Sequence, residues 1–357
     1  MTWLAWRQFR AQAITAAGAV AAFAIVLALT RSQMDSMYAT SGITSCHGNA
    51  CAGLASRFLM YLTSGRGVQF LPTGADEYVI LYFVSVLAVL AAPAIVGIFW
   101  GAPLISRELE TGTCRLAWNQ SVTRTRWLAV KLALIGLAAM AVAEGFSLLQ
   151  AWWAAPIGKA VGLGGSASIM SEGRFGQFVF PSHGITPLGY AAFGFALGVT
   201  VGLLVRRAIP AMAVTLAIFI AVQVITPLWI RPNLIPPQHT VTTTQAAQAT
   251  IVPNSGRLAL TATQVPGQPG AWITSTGAVN LAGQPTTTPA PCLRHFQFEN
   301  GSPKLVNCLA SHGIRVAVSY QPLNRFWPLQ FAETGLFLVL TLALAGLCFY
   351  RLDRRLT

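Results

Sequence analysis

The charged segment at residues 106–126 lies between two long apolar runs, in a chain that carries few charges elsewhere. Its two acids are predicted to lie near a helix start, where the helix dipole favours negative charge. Gly112 can end that helix, and Thr113 can cap the next turn. Arginines alone would be expected in any cytoplasmic loop, but the paired glutamates and the glycine would not. The pattern predicts a short cytoplasmic element that docks a soluble partner. Its candidate docking residues are Arg107, Glu108, Glu110, Gly112, Thr113, Arg115 and Arg124.

Motifs for nucleotide or zinc chemistry are missing from the sequence. It contains no G-x-x-x-x-G-K-[ST] phosphate loop and no H-E-x-x-H pair. The glycines at residues 162–165 fall in a loop that is predicted to lie outside the cell, where no nucleotide is found. The chain is therefore predicted to hold no cofactor and no catalytic metal, and not to hydrolyse ATP by itself.

Two acidic residues fall inside apolar runs that are long enough to cross a membrane. Glu144 lies in the third such run, and Glu333 lies near the outer part of the sixth. Charge is costly at membrane depth, so both are candidates for the path of a cationic substrate. Glu144 has the alternative of facing a water-filled vestibule or bonding to a neighbouring hydroxyl group. An intramembrane enzyme would have only these two acids and His183 to use, and the sequence shows no pairing among them.

Four cysteines form two pairs that are close in sequence. Cys46 and Cys51 lie in one polar loop, and Cys292 and Cys308 lie in the largest polar segment. Each pair can close a disulfide if these regions face an oxidising exterior. The spacing therefore predicts two local bridges on the same side of the membrane. Cross-pairing, such as Cys46 with Cys308, is the alternative and would join the first loop to the outer domain.

Zinc binding is the alternative use of these cysteines. Further ligands would come from His47, His295 or His312, but the spacings match no standard zinc framework. Disulfides are therefore the favoured interpretation. The other two cysteines, Cys114 and Cys348, are predicted to be free thiols on the reducing side of the membrane.

The composition places the chain in a membrane. It is 54% hydrophobic and 9% charged, with a mean hydropathy of +0.58, which a soluble domain of 357 residues would not accommodate. A helix needs about 20 apolar residues to cross a hydrocarbon core of about 30 Å. The apolar residues are continuous rather than alternating, which favours helices over barrel strands. Six runs meet this requirement, namely 12–30, 78–100, 127–150, 185–205, 208–230 and 328–350.

Arginine placement orients these six runs. The two termini and the connections between runs two and three and between runs four and five hold most of the arginines, all on one side. The longer alternate loops, 31–77 and 151–184, hold only four arginines and one lysine. Both termini are therefore predicted to be cytoplasmic, in a bacterial cytoplasmic membrane. The net charge of +13 is then a topology signal that also favours contact with anionic membrane lipids, and nucleic-acid binding is not expected.

Residues 1–11 are predicted to form a cytoplasmic helix that lies at the membrane surface. Trp3, Trp6 and Phe9 recur at near-helical spacing among polar residues. Simple anchoring by tryptophan, or a connecting helix, would give the same pattern. The apolar run that follows is longer than that of a usual signal peptide and has only a weak cleavage site, so we expect it to remain as the first span.

The polar segment at 231–326 is predicted to be a small β-rich domain outside the membrane. Alternating stretches at 257–262 and 314–320 predict short strands, divided by glycine and proline turns. About 95 residues can bury a modest core, which a bridge between Cys292 and Cys308 would help to hold. A loop without a fold is the alternative, because residues 285–291 are rich in threonine and proline.

These observations predict a mainly α, polytopic helical membrane protein with six transmembrane helices and a small β-rich extracytoplasmic domain. Residues 1–11 form the interfacial helix, and residues 12–230 form the first five spans with the docking segment at 101–126. Residues 231–326 form the outer domain. Residues 327–357 form the sixth span and a cytoplasmic tail.

The docking segment contains a series of residues that is found in a known family. The series is Arg107-Glu108-Leu109-Glu110-Thr111-Gly112-Thr113, then Arg115-Leu116, Ser121-Val122-Thr123-Arg124 and Lys131. It is similar to the coupling-helix region of export-type ABC transporter permeases of the second class. Six spans, inside termini, a surface helix before the first span and an outer domain before the last also resemble that family. Two features depart from it: Gln120 stands where many relatives have proline, and the outer domain is longer than the common re-entrant version.

The resemblance implies a permease driven by separate ATP-binding subunits. Two copies of the permease, or this chain together with a sister permease, would sit on two of these subunits, which bind ATP and magnesium. Their closure would move the coupling segments and open a path outward for an amphipathic or apolar substrate, such as a drug in multidrug efflux, a lipid or a peptide. Closed symmetry favours a homodimer. The alternative is a membrane sensor or assembly factor that detects ligands with its outer domain.

Overall fold

The computed structural model describes most of the chain. The described ranges are 2–47, 50–63, 77–110, 123–165, 173–247, 250–254, 257–262, 265–268, 270–287, 290–293 and 303–355. Helices α1 to α13, in chain order, are Thr2–Thr40, Ala50–Thr63, Glu77–Val96, Ala102–Glu110, Arg124–Trp153, Ala155–Gly162, Val179–Ser182, Thr186–Val205, Ala208–Ile225, Arg231–Leu234, Ala290–Leu293, Pro303–Ser311 and Phe326–Arg355. Strands β1 to β5 are Gln238–Thr243, Thr250–Asn254, Arg257–Thr261, Trp272–Val279 and Arg315–Gln321.

Six helical stretches within these ranges are long and apolar enough to cross a membrane. Numbered as spans 1 to 6, they are Phe9–Thr40, Glu77–Glu108, Thr125–Trp153, Thr186–Val205, Ala208–Leu234 and Leu323–Leu352. Each apolar run predicted from the sequence lies within one of these spans, apart from residue 185 at the start of the fourth run. The chain is therefore a multi-pass, mainly helical membrane protein, as predicted.

Six consecutive spans place the connections alternately at two ends of the helical bundle. One end carries both termini, helix α4 and the turn at Arg206 and Arg207, and we call it the arginine end. The opposite end carries α2, α6, α7, both disulfides and the region that contains β1 to β5, and we call it the disulfide end.

Helix α1 runs without a break from Thr2 to Thr40. Residues 2–11 therefore belong to the same helix as span 1, and their location at the membrane surface stays a prediction. The ring of Phe9 is buried and meets the ring of Trp100 edge-on, with 4.7 Å between centroids. Phe9 thus packs against span 2 inside the bundle.

Span 4 is the most buried of the six, and glycines let it pack closely against span 2. Gly194, Gly198 and Gly202 recur every four residues along it. A Cβ atom added to Gly198 would lie 2.2 Å from the carbonyl oxygen of Gly97, and one added to Gly202 would lie 2.4 Å from that of Ala102. Only glycine fits at such distances. Small residues at this spacing commonly bring helix backbones together in membranes.

Two spans contain a π-helical turn, a rare feature that is frequent at functional sites. Span 2 has its turn at Gly97–Gly101, and span 5 has its turn at Thr226–Ile230. Pro103, just after the first turn, has no N–H for the carbonyl of Phe99 four residues earlier. The side-chain amide of Gln12 in span 1 donates a hydrogen bond to that carbonyl at 3.2 Å. The backbone irregularity in span 2 is thus compensated by a neighbouring span.

The polar region between spans 5 and 6 has a folded β-structure. Strands β1, β5 and β4 form an antiparallel sheet in that order, and β2 pairs with β3. The strands predicted at 257–262 and 314–320 are confirmed as β3 and β5. Val316, Val318 and Tyr320 alternate along β5 and are buried in a shared apolar core. We call residues 235–322 the β-domain.

Both predicted cysteine pairs are disulfide-bonded in the structure. The bridge from Cys46 to Cys51 joins the connection after α1 to the first turn of α2. The bridge from Cys292 to Cys308 joins α11 to α12 beside the β-domain core. Cys348 is a buried free thiol, whereas Cys114 lies outside the described residues.

Candidate functional site

Helix α4 carries the described part of the docking segment and continues the helix of span 2 beyond its π-turn. Glu108 and Glu110 therefore lie at the end of a helix, so the prediction that they lie near a helix start is wrong. The reason is that the π-turn accommodates Pro103, so the helix continues where a proline would otherwise mark a new start. Acids at this end oppose the helix dipole and need compensating contacts.

Glu108 obtains its compensation from span 3, through an ion pair with Lys131. The Lys131 side chain is only 5% exposed, and its ammonium group also lies 4.4 Å from the centre of the Trp127 ring. An ammonium group over an indole ring is a favourable cation–π contact. The ion pair therefore holds the end of α4 against the beginning of span 3, which is predicted to lie near the cytoplasm.

Glu110 obtains its compensation from span 5. Its Oε1 atom accepts a hydrogen bond from the backbone N–H of Ala208, the first residue of α9, at 3.0 Å. Arg207, at the N-cap position of α9, makes no side-chain capping bond. A helix N-terminus attracts negative charge. Glu110 thus supplies, from a different span, the cap that the turn before α9 lacks.

The remaining candidate docking residues are described less completely. Gly112, Thr113 and Arg115 lie outside the described residues. Arg124 begins α5, but its side chain is not among those described. Arg107 is exposed on α4. The structure thus brings Glu108 and Glu110 together with two different spans, and the coupling role of all seven residues stays a prediction.

A buried ion pair lies at the disulfide end of the bundle. Arg231, the first residue of α10, donates two hydrogen bonds to Glu333 of span 6, at 2.8 and 3.1 Å. Tyr190 of span 4 donates a third bond to Glu333, at 3.0 Å. The guanidinium group also lies 4.2 Å from the centre of the Phe180 ring. A two-pronged, fully hydrogen-bonded pair is the arrangement that a buried charge requires.

Gln330, about one helical turn before Glu333, holds the start of span 4. Its Oε1 atom accepts hydrogen bonds from the backbone N–H groups of Ile185 and Thr186, both at 3.1 Å, and from the Thr186 hydroxyl at 2.9 Å. Its Nε2 atom donates to the carbonyl of Phe180 at 3.1 Å. One amide therefore ties span 6 to α7 and to the first turn of α8.

Sequence reasoning identified Glu333 but none of its partners. It assigned Arg231 to the outer domain, because this arginine follows directly on an apolar run. The signal that would have found the pair is an arginine at the end of span 5 and a glutamate near the start of span 6, which a count of the spans places at the same end of the bundle. A substrate-path role for Glu333 stays a prediction, and in this structure the ion pair encloses its carboxylate completely.

Glu144 lies on span 3, away from this cluster. Its Oε2 atom is enclosed and has no hydrogen-bond partner among the described residues. Among the described residues, no hydrogen bond or ion pair joins Glu144 to Glu333 or to His183. The His183 ring instead contacts the Ser182 hydroxyl and the Val179 carbonyl. The three groups of the intramembrane-enzyme alternative are thus not brought together, and a role for Glu144 in handling a cation stays a prediction.

Cys292, Cys308 and His312 lie close enough together to resemble a metal site, with their ligand atoms within 4.8 Å of one another. The two sulfur atoms are joined in a disulfide, however, and zinc binds thiolates. His312 is left as a single ligand, and its Nδ1 atom contacts the carbonyl of Cys308 at 2.9 Å. The donor set therefore favours the disulfide over the zinc alternative.

Cavities open near both ends of the bundle. One, of about 520 Å³, lies among spans 1, 2 and 3 and is lined mainly by alanine and larger apolar residues. Gln12, Trp100 and Arg107 place it toward the arginine end. The other, of about 540 Å³, lies at the disulfide end, where spans 3 and 6 meet α6 and α7. Both volumes are in the range of about 300–1,000 Å³ that is typical of small-molecule sites.

Comparisons with known proteins connect this arrangement to a family. A family model described as ABC-2 membrane transporter related matches residues 17–231. The match extends from within span 1 into the end of span 5, so the β-domain and span 6 lie beyond it. No curated protein and no solved structure matches the chain.

Proposed function

This chain belongs to the ABC-2 membrane transporter related family and is a permease-like membrane protein, and from that premise we propose that it is the transmembrane subunit of an ATP-driven exporter. The observation that carries the proposal is the pair of contacts made by α4. Glu108 joins its end to span 3, and Glu110 joins it to span 5. A push on this segment is therefore transmitted to three spans at once.

In the proposed mechanism, two ATP-binding subunits sit below two copies of this chain and hold the ATP and magnesium. Their closure on ATP moves α4 and the residues that follow it, and the movement opens a path outward. A homodimer is the simplest assembly, since closed two-fold symmetry gives each copy an equivalent partner. The chain contributes no catalytic residue to ATP hydrolysis.

The substrate proposed for this path is amphipathic or apolar, such as a drug, a lipid or a peptide. The cavity among spans 1, 2 and 3 supports this class, because its lining is mostly apolar and Arg107 gives one polar group near the arginine end. Glu144 does not line this cavity: Val142 and Phe146, which do, are four residues apart on one face of span 3, and Glu144 lies on the opposite face. A conformational change that turns this helix would offer its carboxylate to a cationic group.

The proposed setting is a bacterial cytoplasmic membrane with the arginine end inside. Arginine-rich connections at one end favour the cytoplasmic side. Both disulfides lie at the opposite end, and disulfides persist on the oxidising side of a membrane. The two independent signals agree on the orientation.

Copurification and ATPase assays test the proposal directly. The chain purified alone is expected to hydrolyse no ATP, and hydrolysis should appear when an ATP-binding subunit copurifies with it and should rise with transported substrate. Robust hydrolysis by the isolated chain, with contaminating ATPases excluded, would contradict the proposal that a separate subunit hydrolyses ATP. Failure of any ATP-binding subunit to associate with the chain would overturn the exporter assignment.

A membrane sensor or assembly factor is the second candidate. The observation that favours it is the β-domain, which has its own apolar core and disulfide and lies outside the family match. A sensor would change its cytoplasmic partner's activity when the β-domain binds a ligand, without moving that ligand across the membrane. Transport assays in sealed vesicles separate the two functions.

A further inference from the structure

The cavity at the disulfide end has an apolar floor at the level where the spans meet the short helices α6 and α7. It lies between span 3, α6, α7 and the start of span 6, and it is partly open. Leu148, Ile157 and Phe326 contribute to its lining, and so does Trp327, which is 51% exposed. Tryptophan is enriched where membranes meet water. The cavity therefore faces the boundary between lipid tails and head groups.

The charges at this cavity are all positive among its described lining residues. Lys159 projects from α6 and Arg174 precedes α7, and both side chains are exposed. No carboxylate lines the cavity in the described ranges, and neither cation forms an ion pair there. The Arg174 guanidinium lies 6.0 Å from the centre of the Phe326 ring, above the apolar floor. The site thus combines two available cations with an apolar surface.

His183 also lines the cavity but adds no charge at neutral pH. Burial lowers the pKa of its imidazole, and the nearby positive charge of Arg174 lowers it further, although a hydrogen bond to the Val179 carbonyl opposes the shift. Lys159 and Arg174 therefore provide the positive charge, and His183 offers only hydrogen bonding.

We propose that this cavity binds the head group of an anionic phospholipid, with Lys159 and Arg174 as the ligands of the phosphate and the apolar floor covering the upper part of the acyl chains. A soluble anion would gain nothing from the apolar lining, and a zwitterionic lipid would bring its own cation against two others. An anionic lipid satisfies both parts of the site, since its phosphate accepts charge-assisted hydrogen bonds and its chains cover apolar surface.

Native mass spectrometry of the detergent-solubilised full chain tests the site. Phosphatidylglycerol should bind more tightly than phosphatidylcholine with the same acyl chains. The double variant Lys159→Gln, Arg174→Gln should bind phosphatidylglycerol about tenfold or more weakly, because a charge-assisted hydrogen bond contributes at least about one factor of ten. Arg315→Gln is the matched control, since it removes an exposed cation of β5 that does not line the cavity.

A second variant blocks the cavity without touching a charge. Gly158 lies in α6 and lines the cavity, and a Cβ atom added to it would meet nothing within 4 Å. Gly158→Leu should therefore fold normally, project into the cavity and weaken phosphatidylglycerol binding by about tenfold. Gly335→Leu is its control, because that glycine of span 6 also has open space but does not line the cavity.

The results separate the proposal from simple attraction of anionic lipid to a basic protein. Equal binding of the two lipids would overturn it. So would unchanged binding in both cavity variants, or a loss in Arg315→Gln as large as that in the double variant. Competition by inorganic phosphate as effective as that by the lipid would show that the apolar floor takes no part, and would also overturn it. The chain is tested without any ATP-binding subunit, so the outcome does not depend on the exporter proposal.

Discussion

The two ends of the helical bundle hold their spans in different ways. At the arginine end, Glu110 is exposed, and the Glu108 side chain is 19% exposed in its pair with Lys131. At the disulfide end, the side chains of Arg231 and Glu333 are 1% and 0% exposed. Water can replace the partner of an exposed carboxylate, whereas a buried charge left alone stays unpaired. The disulfide end is thus built to hold its arrangement, whereas at the arginine end the contact of Glu110 is exposed and can be exchanged for water.

This difference fits the proposed direction of force. The arginine end, with the exchangeable contact of Glu110, is the one expected to meet the ATP-binding subunits, and the disulfide end, with the buried ion pair, is the one that carries the β-domain. Span 4 connects the two, because its glycines lock it against span 2 while its first turn is held by Gln330. Displacement at α4 would then be passed on as movement of whole helices rather than lost in local bending.

The largest expected loss of stability comes from removing one member of the buried pair. Glu333→Ala leaves Arg231 buried without a carboxylate and should cost about 3–5 kcal/mol of unfolding free energy. Thermal unfolding of the detergent-solubilised chain measures the loss. The double variant Arg231→Met, Glu333→Leu removes both charges and should recover most of it, because apolar replacements of a whole pair are often neutral. If Glu333→Ala were as stable as the parent chain, the buried ion pair would not stabilise the disulfide end, and the contrast between the two ends would fail.

Loss of the longer disulfide should come next. Cys292→Ser with Cys308→Ser opens a loop with a sequence separation of 16 and should destabilise the β-domain by about 3 kcal/mol in the chain-entropy model. Hydrogen exchange of the β-domain reports this change. Cys46→Ser with Cys51→Ser opens a separation of only 5 and should cost less. If all four thiols are alkylated without reduction in freshly isolated membranes, both bridges and the assigned orientation lose their support.

An added methyl group in the centre of the bundle tests the link between the two ends. Gly198→Ala places a Cβ atom against the Gly97 carbonyl and should cost about 1–3 kcal/mol by overpacking. Thermal unfolding again gives the value. Gly346→Ala is the control, since a Cβ atom there meets nothing within 4 Å and should leave the stability unchanged or slightly raised. Equal effects of the two substitutions would show that spans 2 and 4 are not in close contact.

The smallest effect on stability is expected at the arginine end, together with the largest effect on coupling. Glu110→Lys removes an exposed cap from α9 and should cost about 1 kcal/mol or less. It should nonetheless weaken docking of the ATP-binding subunit or uncouple ATP turnover from transport. Asp35→Lys, a partly exposed acid of span 1 near the disulfide end, should leave coupling unchanged. Unaltered coupling in Glu110→Lys, and also in the double variant Glu108→Lys, Glu110→Lys, would exclude these acids from the coupling role.

The sequence predicts the spans well because an apolar run of sufficient length has few alternatives to a membrane helix. The strand at 314–320 is also predictable, since its alternation matches one buried face of β5. The cysteine pairs follow from short separations in regions that share one side of the membrane. In each case the decisive signal is local or follows from counting the spans.

The contacts of the candidate site could not be predicted in the same way. Arg231 and Glu333 are 102 residues apart, and Ala208 and Glu110 are 98 residues apart. Nothing near either partner in sequence indicates which distant group it meets. The helix end at Glu110 was missed for a related reason, because the π-turn that carries the helix past Pro103 is stabilised by Gln12 of another span. Contacts between spans depend on how each helix is rotated about its axis and shifted along it relative to its neighbours.

The buried pair also orders the events of biosynthesis. Arg231 leaves the ribosome 102 residues before Glu333, which corresponds to about 5–20 s of translation. During that interval span 5 has been made, but its terminal cation has no counter-ion and must stay at the membrane surface. Only when span 6 enters the bilayer can the guanidinium move inward. A nascent chain that stalls before this helix therefore carries an arginine at the end of span 5 without the counter-ion that it has in the folded chain.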